Sequence, residues 1–124
     1  MSLNRIRESE EMYLETILRL KQKSANVRSV DVGEELGYAK SSVSRGVNLL
    51  KDKGYIIIDH STGVIQFTPE GRAKAEGVYE RHRILTAALI KMGAEPRVAE
   101  SNACRIEHVV TDELMEIFRT FTEK

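Results

Sequence analysis

Residues 55–67 read Tyr55-Ile56-Ile57-Ile58-Asp59-His60-Ser61-Thr62-Gly63-Val64-Ile65-Gln66-Phe67. Tyr55 to Ile58 is strongly β-prone, His60 to Gly63 has turn chemistry, and Val64 to Phe67 is β-prone again. The stretch therefore predicts a β-hairpin. Its weight comes from what stands before it.

Working upstream, a short helix is predicted from Ser29 or Val30 to Leu36, with Val30, Val32 and Leu36 apolar. Gly37 closes it and Tyr38-Ala39 makes a turn. A second helix carries Val43, Val47, Leu49 and Leu50 and ends at Gly54, a residue suited to a left-handed cap. Two short helices joined by a glycine-containing turn form a helix-turn-helix, whose second member enters the DNA major groove. A hairpin directly after that helix is a wing. The first half of the second helix offers Lys40, Ser41, Ser42, Ser44 and Arg45, the hydroxyls and cations that bond phosphates and base edges. The wing tip, His60 to Thr62, is placed to reach an adjacent phosphate. A generic helical hairpin with a polar face would explain the two helices alone; the wing is what argues against it.

The flanking segments are helical. The first helix is expected from about Ser9 to Lys23, with Tyr13, Leu14, Ile17, Leu18 and Leu20 as its apolar stripe. Met12 and Glu15 share the opposite side, which makes Met12 a candidate for contact with something other than that core; packing against a neighbouring helix is the plainer alternative. Beyond the hairpin, Thr68 is an N-cap and Pro69 a first helical residue. That helix should run to about Met92, with Val78, Leu85, Leu89 and Met92 in its stripe and His82 among them. A further helix starts at Glu95-Pro96 and should end near Val110. The last is capped by Thr111-Asp112-Glu113 and carries Leu114, Ile117, Phe118 and Phe121.

One segment carries a different chemistry. In Cys104-Arg105-Ile106-Glu107-His108, residues three and four apart share a helix face. With Glu100 one turn earlier, a thiol, two carboxylates and an imidazole fall within about a quarter of the circumference. Val98, Ala99, Ala103, Ile106, Val109 and Val110 then make the core face, and the polar set resembles half of a metal site. A solvated acidic face with one stray cysteine is the plainer alternative.

Composition narrows the function classes. The chain of 124 residues, 41% hydrophobic and 31% charged, fits one compact domain or two small subdomains. No apolar run is long enough to span a bilayer and no secretory pattern opens the chain, so a cytoplasmic location is expected. A single cysteine forms no internal disulfide. Net charge is zero but unevenly placed. Lys40, Arg45, Lys51 and Lys53 face only Asp52 in the middle, whereas residues 95–116 are rich in acids. A basic middle suits a polyanion, and an acidic end suits a cation.

With a winged helix followed by Cys-x-x-Glu-His, the chain resembles the diphtheria-toxin-repressor and manganese-transport-regulator family of metal-dependent transcription repressors. The resemblance is carried by Glu11-Met12-Tyr13-Leu14, Ser42-Val43-Ser44, Thr68-Pro69-Glu70-Gly71, Arg81-His82-Arg83 and residues 103–109. It implies that Met12, Cys104, Glu107 and His108 form the primary metal site of the iron-responsive branch. His82 matches a ligand of both branches and Glu15 an acidic ligand of the manganese branch. Thr86 stands where the iron branch has a carboxylate and Glu100 where it has a histidine, so the second site of that branch is only partly matched. The resemblance further implies base contacts from Ala39, Ser41, Ser42 and Arg45, phosphate contacts from Lys40, Lys51 and Lys53, and a homodimer. A chain of this length is expected to lack the SH3-like domain of longer members.

The expected fold is mainly α with a small β-hairpin. Residues 1–70 would form a winged helix-turn-helix DNA-binding domain, and residues 71–124 a helical metal-binding and dimerisation domain. The expected function is a repressor of metal-uptake genes that binds a double-stranded, palindromic operator as a homodimer with Fe²⁺ or Mn²⁺ as co-repressor. Zn²⁺, Co²⁺ or Ni²⁺ is expected to bind in vitro, because the Cys104 thiolate and Met12 thioether suit softer ions. Three rivals stand beside this reading. A metalloenzyme would need an open ligand position and a general base, and nothing resembles His-Glu-x-x-His. A redox sensor would use the Cys104 thiol. A winged-helix regulator could also act without metal.

Overall fold

The computed structural model describes residues 3–124, with side chains from Ser9 onward. In chain order the elements are α1 (Leu3–Lys21), α2 (Ser29–Leu36), α3 (Lys40–Asp52), β1 (Ile56–Ile58), β2 (Ile65–Phe67), α4 (Pro69–Lys91), α5 (Pro96–Ile106) and α6 (Asp112–Thr122). They divide into two compact units, one up to Glu76 and one from Gly77. Among the described residues, no helix is long and apolar enough to cross a membrane.

In the first unit, α1 begins earlier than the expected Ser9 and packs Tyr13, Leu14, Ile17 and Leu18 into the core with Val32, Val43, Val47 and Leu50. Burying each large aliphatic side chain contributes roughly 1.5–3 kcal/mol. The spacing of Val43, Val47 and Leu50 puts them on one face of α3, whereas Leu49 lies outside it and is exposed. Gly37 ends α2 in the left-handed region at φ 69°, and its amide bonds the Gly33 carbonyl. Gly46 allows α1 and α3 to approach: a Cβ there would meet Cε2 of Tyr13 at 2.3 Å.

The wing is an antiparallel pair in the register Ile56↔Phe67, Ile57↔Gln66, Ile58↔Ile65. Ile56 and Ile65 face the core while Ile57 points to solvent. Thr68 caps α4 as expected: its hydroxyl accepts from the Gly71 amide at 3.0 Å and donates to the Gly54 carbonyl at 2.7 Å.

In the second unit, Ile84 and Leu85 of α4, Ala103 of α5 and Met115 of α6 form the core, with Ile106, Val110 and Phe118 packed on it. Three expectations are corrected. The helix that begins at Pro96 ends at Ile106, so Glu107 is its cap and His108 lies in the turn beyond it. Val98 and Val109 were assigned to the core face but are exposed, whereas Glu107 and His108 are buried. Met92, expected in the α4 stripe, is exposed just before Gly93, which breaks the helix at φ 112°.

Candidate metal centre and nucleic-acid interface

The metal-ligand candidates of the second unit are drawn together by helix packing. His82 lies midway along α4, 5% exposed, its ring nearly parallel to that of Tyr79. Its Nδ1 is 2.8 Å from Oε2 of Glu107, a side chain with no exposed surface. The other carboxylate oxygen, Oε1, lies 3.3 Å from Nε2 of His108 yet accepts no hydrogen bond. Glu100 is half-exposed on α5, with Oε1 4.0 Å from Nε2 of His82. Cys104 is on the exposed side of α5, one turn before Glu107.

A buried carboxylate is tolerable only when its charge is compensated. Glu107 has an imidazole near each oxygen, and its carboxylate can accept a hydrogen bond from Nδ1–H of His82. A carboxylate oxygen that accepts no hydrogen bond, two imidazoles and a thiol one turn away make a donor set suited to a divalent transition metal. The residues fit such an ion. Thr86, one turn after His82, has a buried hydroxyl with no hydrogen-bond partner.

Arg81, quoted above only as part of a motif, holds this region together. Its Nε donates to the Glu107 carbonyl at 2.8 Å, Nη1 bonds Oδ1 of Asp112 at 3.0 Å, and Nη2 bonds the Val110 carbonyl. Three anchors from one side chain fix the turn that carries Glu107 and His108. Its adjacency to His82 was the only sequence signal of that role.

In the first unit, Met12 and Glu15 lie on α1, half-buried and buried respectively. The Tyr38 hydroxyl donates to Sδ of Met12 at 3.6 Å. Tyr13 donates to the Ser42 carbonyl at 3.3 Å, tying α1 to the first turn of α3. Burial, then Tyr38, pushes the Tyr13 phenol above its ordinary pKa, with Arg45 opposing, so the hydroxyl keeps the proton it donates.

The DNA candidates of this unit lie on α3 and in the wing. Ala39 is the N-cap of α3; Lys40, Ser41, Ser44 and Arg45 are exposed in its first two turns, and Ser42 is half-buried beside Tyr13. Lys51 is exposed in the last turn, and His60 is exposed at the wing tip. Lys53 is a different case. It lies 3.0 Å from Oε1 of the buried Glu10, whose other oxygen is 3.7 Å from Lys74, so it serves an internal ion pair. Sequence reasoning also missed Arg28, the N-cap of α2, whose Nε donates to the Thr62 carbonyl at 2.7 Å. A lone arginine before a helix gives no sign of a partner 34 residues away.

Both parts of the chain match known proteins. Residues 5–64 match the family model of the iron dependent repressor N-terminal DNA binding domain, and residues 68–124 that of the iron dependent repressor metal binding and dimerisation domain. The transcriptional regulator MntR of Escherichia coli is 33% identical over 118 residues, covering 95% of this chain and 76% of the relative. The diphtheria toxin repressor of Corynebacterium diphtheriae is 31% identical over 108 residues, covering 86% of this chain and 47% of the relative. A solved manganese-dependent transcriptional repressor in complex with manganese superposes with a TM-score of 0.83 at 26% identity, covering 92% of this chain and 52% of that one. The chain thus spans about half the length of the last two.

Proposed function

Since this chain belongs to the diphtheria-toxin-repressor and manganese-transport-regulator family, a family of metal-dependent DNA-binding transcription regulators, we propose that it represses metal-uptake genes in the cytoplasm. Fe²⁺ or Mn²⁺ acts as co-repressor. The observation that carries the reading is the buried Glu107 carboxylate between His82 and His108, with one oxygen that accepts no hydrogen bond. Residues 1–70 serve as the DNA-binding domain and residues 71–124 as the metal-binding and dimerisation domain.

His82, Cys104, Glu107 and His108 hold the metal in this reading, and the family resemblance adds Met12 and Glu15, with Glu100 as a further carboxylate. When bound, the ion supplies the positive charge that a buried carboxylate and a thiolate need, together with a fixed ligand geometry. Glu107 aims the His82 ring, and Arg81 fixes the backbone on which Glu107 and His108 sit. Within the first unit, the Tyr13 hydroxyl ties α1 to Ser42 in the first turn of α3.

On the DNA, Arg45 is the side chain best suited to reading guanine through O6 and N7, with Ala39, Ser41, Ser42 and Ser44 beside it. Lys40, Lys51 and His60 meet phosphates. Leu114 and Ile117 of α6, both exposed, suit contact with a second copy of the chain. A two-fold dimer then presents two recognition helices to half-sites about one helical turn apart, which is a palindromic operator.

The test is selection from randomised duplexes under anaerobic conditions with Mn²⁺, with Fe²⁺ and with a chelator. The proposal expects enrichment of a palindromic sequence in the metal arms alone. Enrichment of the same sequence with the chelator would replace it with a metal-independent regulator.

A further inference from the structure

We propose that Arg28 is the positioning residue of the wing, locking its tip to the start of α2 so that His60 and Ser61 face DNA in fixed register with Lys40 to Arg45. The inference rests on the DNA-binding reading and adds a residue which that reading does not use.

Four observations meet at this corner. The Val27 carbonyl accepts the Ile65 amide at 2.8 Å, so the residue before Arg28 runs beside the second wing strand. Nε of Arg28 then donates to the Thr62 carbonyl at 2.7 Å, inside the wing loop. The Arg28 amide donates to Oδ2 of Asp31 at 2.8 Å, which fixes the backbone from which the side chain departs. The loop is itself closed: Asp59 Oδ1 accepts the Ser61 and Thr62 amides at 2.8 and 2.9 Å, and Gly63 turns the chain at φ 76°.

The loop is therefore internally ordered, and its orientation is the remaining freedom. Its strands are three residues each; Ile56, Val64 and Ile65 bury their base, whereas residues 59–62 at the tip are exposed. Beyond the Val27 bond at the strand, the Arg28 bond is the tie that reaches the loop. Arginine suits this task because its planar group gives Nε a fixed direction, whereas a lysine ammonium is a mobile point charge. Arg28 is solvent-exposed, so one hydrogen bond there adds little to folding, and its consequence lies in where the tip points.

The experiment compares the full chain with Arg28→Lys, Arg28→Met, a wing variant carrying His60→Ala and Ser61→Ala, and the wing variant combined with Arg28→Met. The probe is a duplex selected by the parent with Mn²⁺, read by fluorescence anisotropy. Backbone amide NMR of the metal-free proteins is recorded alongside. Arg28→Lys and Arg28→Met should each weaken binding by about 10-fold, a typical loss for coupled neighbours. The wing substitutions should weaken the parent similarly and leave Arg28→Met unchanged. Amide shifts at residues 60–63 should move while those of α3 stay in place. Parental affinity in Arg28→Lys would overturn the inference and reduce Arg28 to a general charge, and so would additive losses. Should the parent itself bind no duplex, the DNA-binding reading would fall and this inference with it.

Discussion

Nδ1 of His82, in the middle of α4, lies 2.8 Å from Oε2 of Glu107, the residue that caps α5, and both side chains are buried. The pair joins two helices through a carboxylate that solvent does not reach. That carboxylate is therefore committed to compensation by neighbouring groups, which is the state a cation site requires. Arg81 keeps the backbone of Glu107 in place by bonding its carbonyl.

Glu107→Gln tests the charge of that pair at constant shape. The amide oxygen still accepts from His82, so the fold is retained, but the anionic ligand is gone. Mn²⁺ affinity should fall by at least about 100-fold, the upper range for disrupted metal surroundings. Calorimetric titration measures the affinity, and circular dichroism checks the fold. Parental affinity in this variant would place the metal elsewhere.

Gly46→Ala sets two effects against each other. Alanine gains about 1 kcal/mol in helix propensity over glycine. Its Cβ, however, would sit 2.3 Å from Cε2 and 2.5 Å from Cζ of Tyr13, which is buried and bonded to the Ser42 carbonyl. Overpacking of this kind costs about 1–3 kcal/mol. The ring cannot withdraw without losing its bond, so the variant should be less stable in chemical denaturation. A higher midpoint would contradict the packing described for α1 against α3.

The wing responds to pH through Asp59. Hydrogen bonds from the Thr62 and Ser61 amides and the Thr62 side chain, then His60, hold its carboxyl below the usual carboxylate range, outweighing a small opposing effect of burial. A depressed folded pKa favours the charged form in the folded state. Its contribution is therefore full above the ordinary value of about 3.9 and is lost as pH falls from there through the depressed value. A carbon-detected NMR titration of Asp59 should show a midpoint below the ordinary value, followed by the Thr62 amide shift. A midpoint at or above that value would mean that the loop is not closed as described.

The winged helix was legible because its parts have local signals. The β-prone run at Tyr55 to Ile58, the capping pair Thr68-Pro69 and the spacing of Val43, Val47 and Leu50 each report on neighbours in sequence. The metal candidates were legible as residue types but not as a site. Grouping Glu107 with Glu100 and Cys104 put it on a solvent face, whereas its backbone is still helical and its side chain follows the buried Ala99 and Ala103 at four-residue spacing. Its partner there is His82, 25 residues away, and that pairing is what no local pattern encodes. The same holds for Lys53 with Glu10 and for Arg28 with Thr62. Apolar character also misled: Val98 and Val109 are exposed, while Met115 lies in the core outside the expected stripe of α6.

Coupling between metal and DNA is the central claim, and anaerobic fluorescence anisotropy with a selected duplex measures it directly. The dissociation constant is determined with Mn²⁺ and with a chelator, for the parent and for His108→Ala. The account predicts tighter binding by about 5- to 150-fold with Mn²⁺ in the parent, the usual span of allosteric coupling, and a ratio near one in His108→Ala. Equal dissociation constants with and without metal in the parent would contradict it.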